Sequence, residues 1–468
     1  MSILRYHDAH ILVKTQKNKN FCWAACIEMV TAKYNKSLIP ALKSEAFQKE
    51  KFSFQCILAD KQVELLRGKK HIEFNFEHCL TCDPLGDTTL RRGSNLYQQL
   101  FKHVCQIDCT QFKLKGFPDW RFIEEQTAKG FAIIVSGIYI PSCPGASHAV
   151  VITGCFLEKN HQGDYVHWVI ANDPFVTAPC LSKKARKTAW IYEELIKSHE
   201  AASHDVDDHK PLIYVTDFVP MSSKTVIKKS PRKLRAANSN DGTYPALKDE
   251  ELESGVEALL KSLFDSPNNS FLYTHFGFRK QTKMDPKGVI PYQTLGHYKN
   301  TLQENEPILK DLTTGKANIE VVQKSTNISI LPVYQDGKPI IDIYLQHDLT
   351  MDESRIVGFR ENAASDRLDA ATIFLDAPEV IPNHVSFEFT HHKPNYTMVD
   401  FPPYGFRFMV FEMIIGDTRQ TFCAPVYTYH CLKMKSGRAL SLEKTSEILD
   451  AKIRAGQEKG KKVRSFLY

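Results

Sequence analysis

The strongest periodic signal in the chain begins at Cys22. Trp23, Cys26, Ile27 and Val30 fall at i, i+3, i+4 and i+7, the apolar stripe of an amphipathic helix. Looser helical spacing predicts further helices near residues 39–47 and 95–104. From about residue 130 the pattern changes to β-rich runs over 131–140, 148–156, 164–171 and 212–218. A helical front half therefore precedes a sheet. Further on, 246–264 reads as one amphipathic helix, with Leu252, Val256, Leu259, Leu260 and Leu263 on its stripe. Alternating runs follow at 318–334 and 339–346, joined across Asp336-Gly337, and at 406–415 and 419–429, joined across Gly416-Asp417. Shorter strands at 371–375 and 385–390 and a closing helix at 441–462 complete an antiparallel sandwich or barrel-like module.

Between these two patterned regions, Met221 begins a stretch that carries Lys224, Lys228, Lys229, Arg232, Lys233 and Arg235 among Ser and Asn, and it cannot build an apolar face. It reads as a linker over 221–245, dividing a domain at 1–220 from one at 246–468. Two domains suit a chain of 468 residues. With 43% hydrophobic and 24% charged residues, the chain is neither disordered nor a disulfide-stapled miniature. A net charge of +6 is too small at this length to make nucleic acid the expected partner. The first twenty residues contain no apolar run that would serve as an export signal, and no stretch approaches membrane-spanning length. The expected location is the cytoplasm, with no membrane partner.

Cysteine usage then becomes informative. Of the 12 cysteines, all but Cys423 and Cys431 lie between Cys22 and Cys180. In a reducing compartment such thiols serve packing, metal or catalysis. Cys79, Cys82, Cys105 and Cys109 have a spacing that can close a tetrahedral zinc site, although reduced structural cysteines are the default reading. No organic cofactor is implied. His391-His392 reads as a strand-edge pair, and the second half offers no catalytic constellation.

Cys22 is placed differently. It opens the predicted helix, where unpaired backbone N–H groups and the macrodipole favour an anion and hence a thiolate; Asn20 is positioned to cap this helix. Cys26, one turn on and within the stripe, reads as core. A nucleophilic thiolate needs an imidazole, and the imidazole needs an orienting amide or carboxylate. His148 stands at the start of an apolar strand after Gly145-Ala146-Ser147, and the following strand ends in Asn172-Asp173-Pro174. A hairpin centred near residues 160 and 161 would set His148 opposite Asn172 or Asp173, with either able to orient it.

These residues resemble the papain-like cysteine peptidases, in particular their compact bacterial branch of exporter leader peptidases and effector peptidases. The resemblance rests on Gln16, on Cys22-Trp23-Ala24-Ala25 opening a helix, on Ser147-His148-Ala149-Val150-Val151 with Gly154, and on Asn172-Asp173-Pro174, and it spans about residues 10–220. It implies Cys22 as nucleophile, Gln16 as oxyanion donor, His148 as base and acid, and Asp173 as orienter. The implied fold is α+β, a helical lobe plus antiparallel sheet, followed here by the β-rich second half. The implied activity is hydrolysis of peptide or isopeptide bonds in a protein or peptide substrate. The same residues would also serve acyl transfer to an amine, and a binding or scaffold protein on a decayed peptidase fold is the alternative from another class.

Overall fold

The structure is a computed structural model. It describes residues 2–16, 21–40, 53–67, 95–140, 143–159, 163–174, 186–197 and 212–222, and in the second half the strands given below with short stretches beside them as far as residue 451. In chain order the first half forms β1 (Ser2–Asp8), α1 (Cys22–Tyr34), α2 (Phe54–Arg67), α3 (Leu96–Leu100) running into a π turn (Phe101–Cys105), β2 (Ile107–Leu114), α4 (Trp120–Ala128), β3 (Ile133–Ile140), β4 (Cys143–Lys159), β5 (Tyr165–Asp173), β6 (Arg186–Ile191) and β7 (Leu212–Pro220).

Its sheet runs β2-β7-β3-β4-β5-β6 with every neighbour antiparallel. The long β4 carries β3 against His148 to Ile152 and β1 against Gly154 to Lys159 on one edge, and β5 on the other. At the junction of β3 and β1 the chains come so close that a Cβ on Gly154 would lie 2.3 Å from the His7 carbonyl oxygen, so only glycine fits. Alternation along each strand then sorts the core. Ile134, Ala149, Val151, Ile213 and Val215 pack with Trp23, Cys26, Ile27 and Val30 of α1. Ile133, Val135, Val150, Ile152, Leu212 and Tyr214 pack on the other side with Ile123 of α4.

The helices follow from local chemistry. α1 is buried on nearly all sides, which explains why its sequence is apolar well beyond one stripe. α4 starts where the Asp119 carboxylate accepts the Phe122 N–H at 2.8 Å, a side-chain cap directly after Pro118. At the far end of α1, Asn35 donates from its side chain to the Cys105 carbonyl, tying the helix to the π turn.

The second half contributes β8 (Leu247–Lys248), β9 (Met284–Pro286), β10 (Ile290–Thr294), β11 (Ile328–Gln335), β12 (Lys338–Asp348), β13 (Glu353–Glu361), β14 (Phe374–Leu375), β15 (Tyr396–Phe401), β16 (Phe406–Ile415), β17 (Thr418–Pro425) and β18 (Arg438–Ser441). Strands β13-β12-β11-β10-β15-β16-β17-β18 follow one another across the sheet, antiparallel except where β10 meets β15. The two halves share a seam: β6 pairs antiparallel with β13, Gly358 opposite Trp190 and Arg360 opposite Thr188. Trp190 stacks edge-on against Tyr344 there, and Trp168 tilts against Phe359. The chain is thus a mixed helix and mostly antiparallel sheet protein, and the sheet passes from one half into the other without a break.

Several expectations are corrected. The first described helical turn after residue 246 lies at 254–256, and Leu247–Lys248 instead add a short strand to β13, because backbone pairing with Glu353 and Ser354 outweighs a weak helical pattern. The helix expected over 95–104 ends its α geometry at Leu100 and closes as a π turn. Of the helix expected at 39–47 only 39–40 are among the described residues, and they are helical. The N-cap of α1 is Phe21, so Asn20 does not cap it. The linker beyond Ser222, the strand at 385–390, His391, His392, Cys79 and Cys82 lie outside the described residues. Among the described residues no helix is long and apolar enough to cross a membrane.

Candidate active site

Cys22 is the first residue of α1, and Phe21 before it supplies no side-chain cap. Ala25 N–H bonds to the Phe21 carbonyl, and the N–H groups of the opening turn before it point out of the helix end. Cys22 is partly exposed, whereas Cys26, Cys56, Cys105, Cys109, Cys155 and Cys423 are buried. Burial pushes the thiols of Cys105, Cys155 and Cys423 up to about 12, and it raises Cys26 too, with Cys22 and Asp173 adding to the shift. Those thiols are held protonated and out of reach.

β4 carries His148 where the strand meets a bulge in its neighbour. Ser136 pairs with Ala149 but Ile138 pairs with His148, and Gly137 between them takes a φ of +96°, a conformation that glycine adopts freely. On the other edge, Val151 faces Asn172, which sets Asp173 level with Val150 and makes His148 its diagonal neighbour. This corrects the hairpin register expected from sequence, in which His148 stood directly opposite Asn172 or Asp173. The last pair before the turn is Lys159 with Tyr165, which sets the hairpin centre later in the chain than expected, and the bulge between Ile152 and Gly154 then shifts the pairing by one residue.

The diagonal is bridged. His148 Nε2 lies 2.7 Å from Asp173 Oδ1, with both side chains almost wholly buried. Cys22 lies close enough to His148 to add, by hydrogen bonding and charge, to the imidazole's raised proton affinity. With Nε2 on the carboxylate, Nδ1 is the ring nitrogen left for the thiol. Burial by itself lowers the imidazole's proton affinity, but the Asp173 charge and hydrogen bond, helped by Cys22, outweigh it and hold His148 at about 9. The imidazolium is therefore the favoured form at neutral pH.

Asn172 has a different partner. Its Nδ2 donates to the Ile11 carbonyl at 2.9 Å, so it fastens the segment after β1 to β5. The same segment is held by Ala9 N–H on the Thr153 carbonyl and by Gln16 N–H on the Pro174 carbonyl. Gln16 is fully buried, and its backbone is pinned one residue beyond Asp173. Four residues singled out from sequence, Gln16, Cys22, His148 and Asp173, are thus joined through two strand edges and a helix start. Sequence reasoning missed Gln55 and Glu28: Gln55 Nε2 donates to the Thr15 carbonyl at 2.8 Å and to Glu28 Oε2 at 2.7 Å. The signal for Gln55 was only a polar residue between Phe54 and Cys56, with no spacing to connect it to Gln16.

Among the described residues no group of three or more His, Cys, Asp and Glu could hold a metal ion. Of the four cysteines considered for zinc, Cys105 closes the π turn and Cys109 lies on β2, both buried. Comparison with known proteins adds no relative: no family model, curated protein or solved structure matches the chain.

Proposed function

We propose that the protein is a papain-like cysteine peptidase that cleaves peptide or isopeptide bonds in a protein or peptide substrate. The observation that carries the reading is His148, buried between the Asp173 carboxylate and a partly exposed thiol at the open end of a helix. The Cys22 sulfur, its proton lodged on His148, attacks the scissile carbonyl carbon. The oxyanion that forms is met by the Cys22 backbone N–H and the Gln16 side-chain amide. His148 returns the proton to the leaving amine as the C–N bond breaks, leaving a thioester on Cys22. Water then attacks the thioester with His148 as base, releasing the acid and restoring the thiol. Asp173 orients the ring and stabilises its charged form. Each role needs the residue type found there, and no cofactor enters. A thiol nucleophile suits the reducing cytoplasm.

The test is digestion of a peptide library that represents all residue pairs, with new amino termini read by mass spectrometry. The parent should generate termini that the Cys22→Ala chain does not. Identical products from both would sink the proposal, and a new amide in place of a free carboxyl would make the reaction acyl transfer.

A further inference from the structure

Two donors placed on different parts of the chain must face one oxyanion, and something must fix the distance between them. The Cys22 N–H belongs to α1, whereas Gln16 belongs to the segment after β1, and residues 17–20 between them are not among those described. We propose that Gln55 is the positioning residue that sets this distance, an inference that rests on the peptidase reading. Gln55 is fully buried near the start of α2. Its one amide nitrogen donates to the carbonyl of Thr15, the peptide unit that leads into Gln16, and to the carboxylate of Glu28 on α1. Glu28 is on the same rigid helix that begins with Cys22. Gln55 therefore ties the backbone at Gln16 to the helix that supplies the other donor.

The opposite side of the Gln16 segment is tied to β5, by Gln16 N–H on Pro174 and by Asn172 on Ile11. Clamped from α2 and from the strand that carries Asp173, Gln16 is fixed relative to both the thiol and its imidazole partner. The residue type at position 55 follows from its partners. Both are acceptors, one of them a carboxylate, so a side chain with an N–H₂ group serves where a second carboxylate would repel Glu28 and an apolar group would leave two half-buried acceptors without this donor. In this proposal Gln55 acts on the oxyanion site, through the backbone at Gln16, and not on the thiol–imidazole pair.

That separation supplies the test. On the full chain, two probes divide thiol reactivity from oxyanion stabilisation. Iodoacetamide alkylates Cys22 by displacing iodide at a saturated carbon, and no oxyanion forms. With p-nitrophenyl acetate, the Cys22 sulfur bonds to the acetyl carbon, the oxyanion forms and collapses, the C–O bond breaks, and p-nitrophenolate leaves. Gln55→Ala should slow acylation roughly tenfold to a hundredfold, the scale of a small misplacement of a catalytic group. It should leave alkylation of Cys22 unchanged. In a Gln16→Ala background the same substitution should cost nothing further, because its effect passes through Gln16. Gln55→Asn, an amide too short to span both acceptors, should reproduce the selective loss should the alanine variant unfold.

Equal loss with and without Gln16, a parallel fall in both reactions, or unimpaired acylation in Gln55→Ala and Gln55→Asn would overturn the proposal. If the parent chain acylates no faster than its His148→Ala variant, the peptidase reading itself fails and takes this inference with it. The two failures are thereby told apart.

Discussion

The two halves of the molecule are built from similar strands but bury different groups. In the first, Gln16, Gln55, His148, Glu158, Asn172, Asp173, Glu193 and Glu194 are all nearly or wholly removed from solvent. In the second, the buried polar side chains among the described residues are Asp342, Ser354, Arg360 and Thr445, and the rest of the interior is apolar. A buried charge is costly unless it is paired, so a fold carries such groups where something holds them. His148 has Asp173, Glu158 accepts the Trp168 indole N–H, and Glu193 meets His167. His148 and Asp173 lie by the start of α1, Glu158 and Glu193 toward the other end of β4, β5 and β6, and Arg360 of the second half lies on β13, at the seam with β6. Among the described residues, most of the buried charged side chains lie on the first half's side of the seam.

The largest expected effect breaks the comparison at its root. Cys22→Ala should abolish turnover, and His148→Ala should do nearly the same, since residues that act as a unit fail together. Assays of purified variants with matched thermal unfolding decide it. Next comes Asp173→Asn, expected to lower turnover by about tenfold or more and to change its pH dependence. His148 is held at about 9 against an ordinary 6.5, so the imidazolium that protonates the leaving amine persists until the pH climbs through about 9. Parent turnover should fall there, and in Asp173→Asn the falling limb should move down toward 6.5. The sign for stability is the same: a raised imidazole pKa adds stability that is complete below 6.5 and is lost as pH rises through about 9. An alkaline limb that stays in place when Asp173 is neutralised would contradict this assignment.

Smaller effects sharpen the contrast. Gly358 lies against the seam, where a Cβ would come 2.2 Å from Trp190 Cε3 and 2.6 Å from the Ala189 carbonyl oxygen. Gly358→Val should destabilise the chain by roughly 1–3 kcal/mol through overpacking, read by urea unfolding, and leave the pH profile of turnover in place. Asn172→Ala removes one buried hydrogen bond to Ile11 and should cost about 1 kcal/mol of stability with a milder loss of turnover than Asp173→Asn. The reverse order of activity would make Asn172 the orienter.

How far the site was legible depended on where its information lies. The α1 pattern, the strands β3, β4, β5 and β7, and the residues Cys22, His148 and Asn172-Asp173 stand out because short-range periodicity and residue chemistry mark them locally. Asp173 could not be separated from Asn172, since the answer rests on the bulge between Ile152 and Gly154, and a bulge leaves little trace in hydrophobic alternation. β6 and β13 went unread for a related reason: each is an edge until the other covers it, and their pairing is a long-range event. α4 went unread although Pro118-Asp119 is a start signal, because the helix is short and Ile123 is its one fully buried apolar residue. Gln55 was invisible because its partners, Thr15 and Glu28, are remote in sequence.

The central claim is that His148 arms the Cys22 thiol ahead of the buried thiols described with it. The most direct measurement is peptide mapping of the folded chain after brief exposure to iodoacetamide at neutral pH, with and without His148→Ala. The account predicts that Cys22 is alkylated far ahead of every other cysteine in the parent and loses that lead in His148→Ala. Faster modification of Cys26 or Cys143, or a Cys22 rate indifferent to His148, would contradict it.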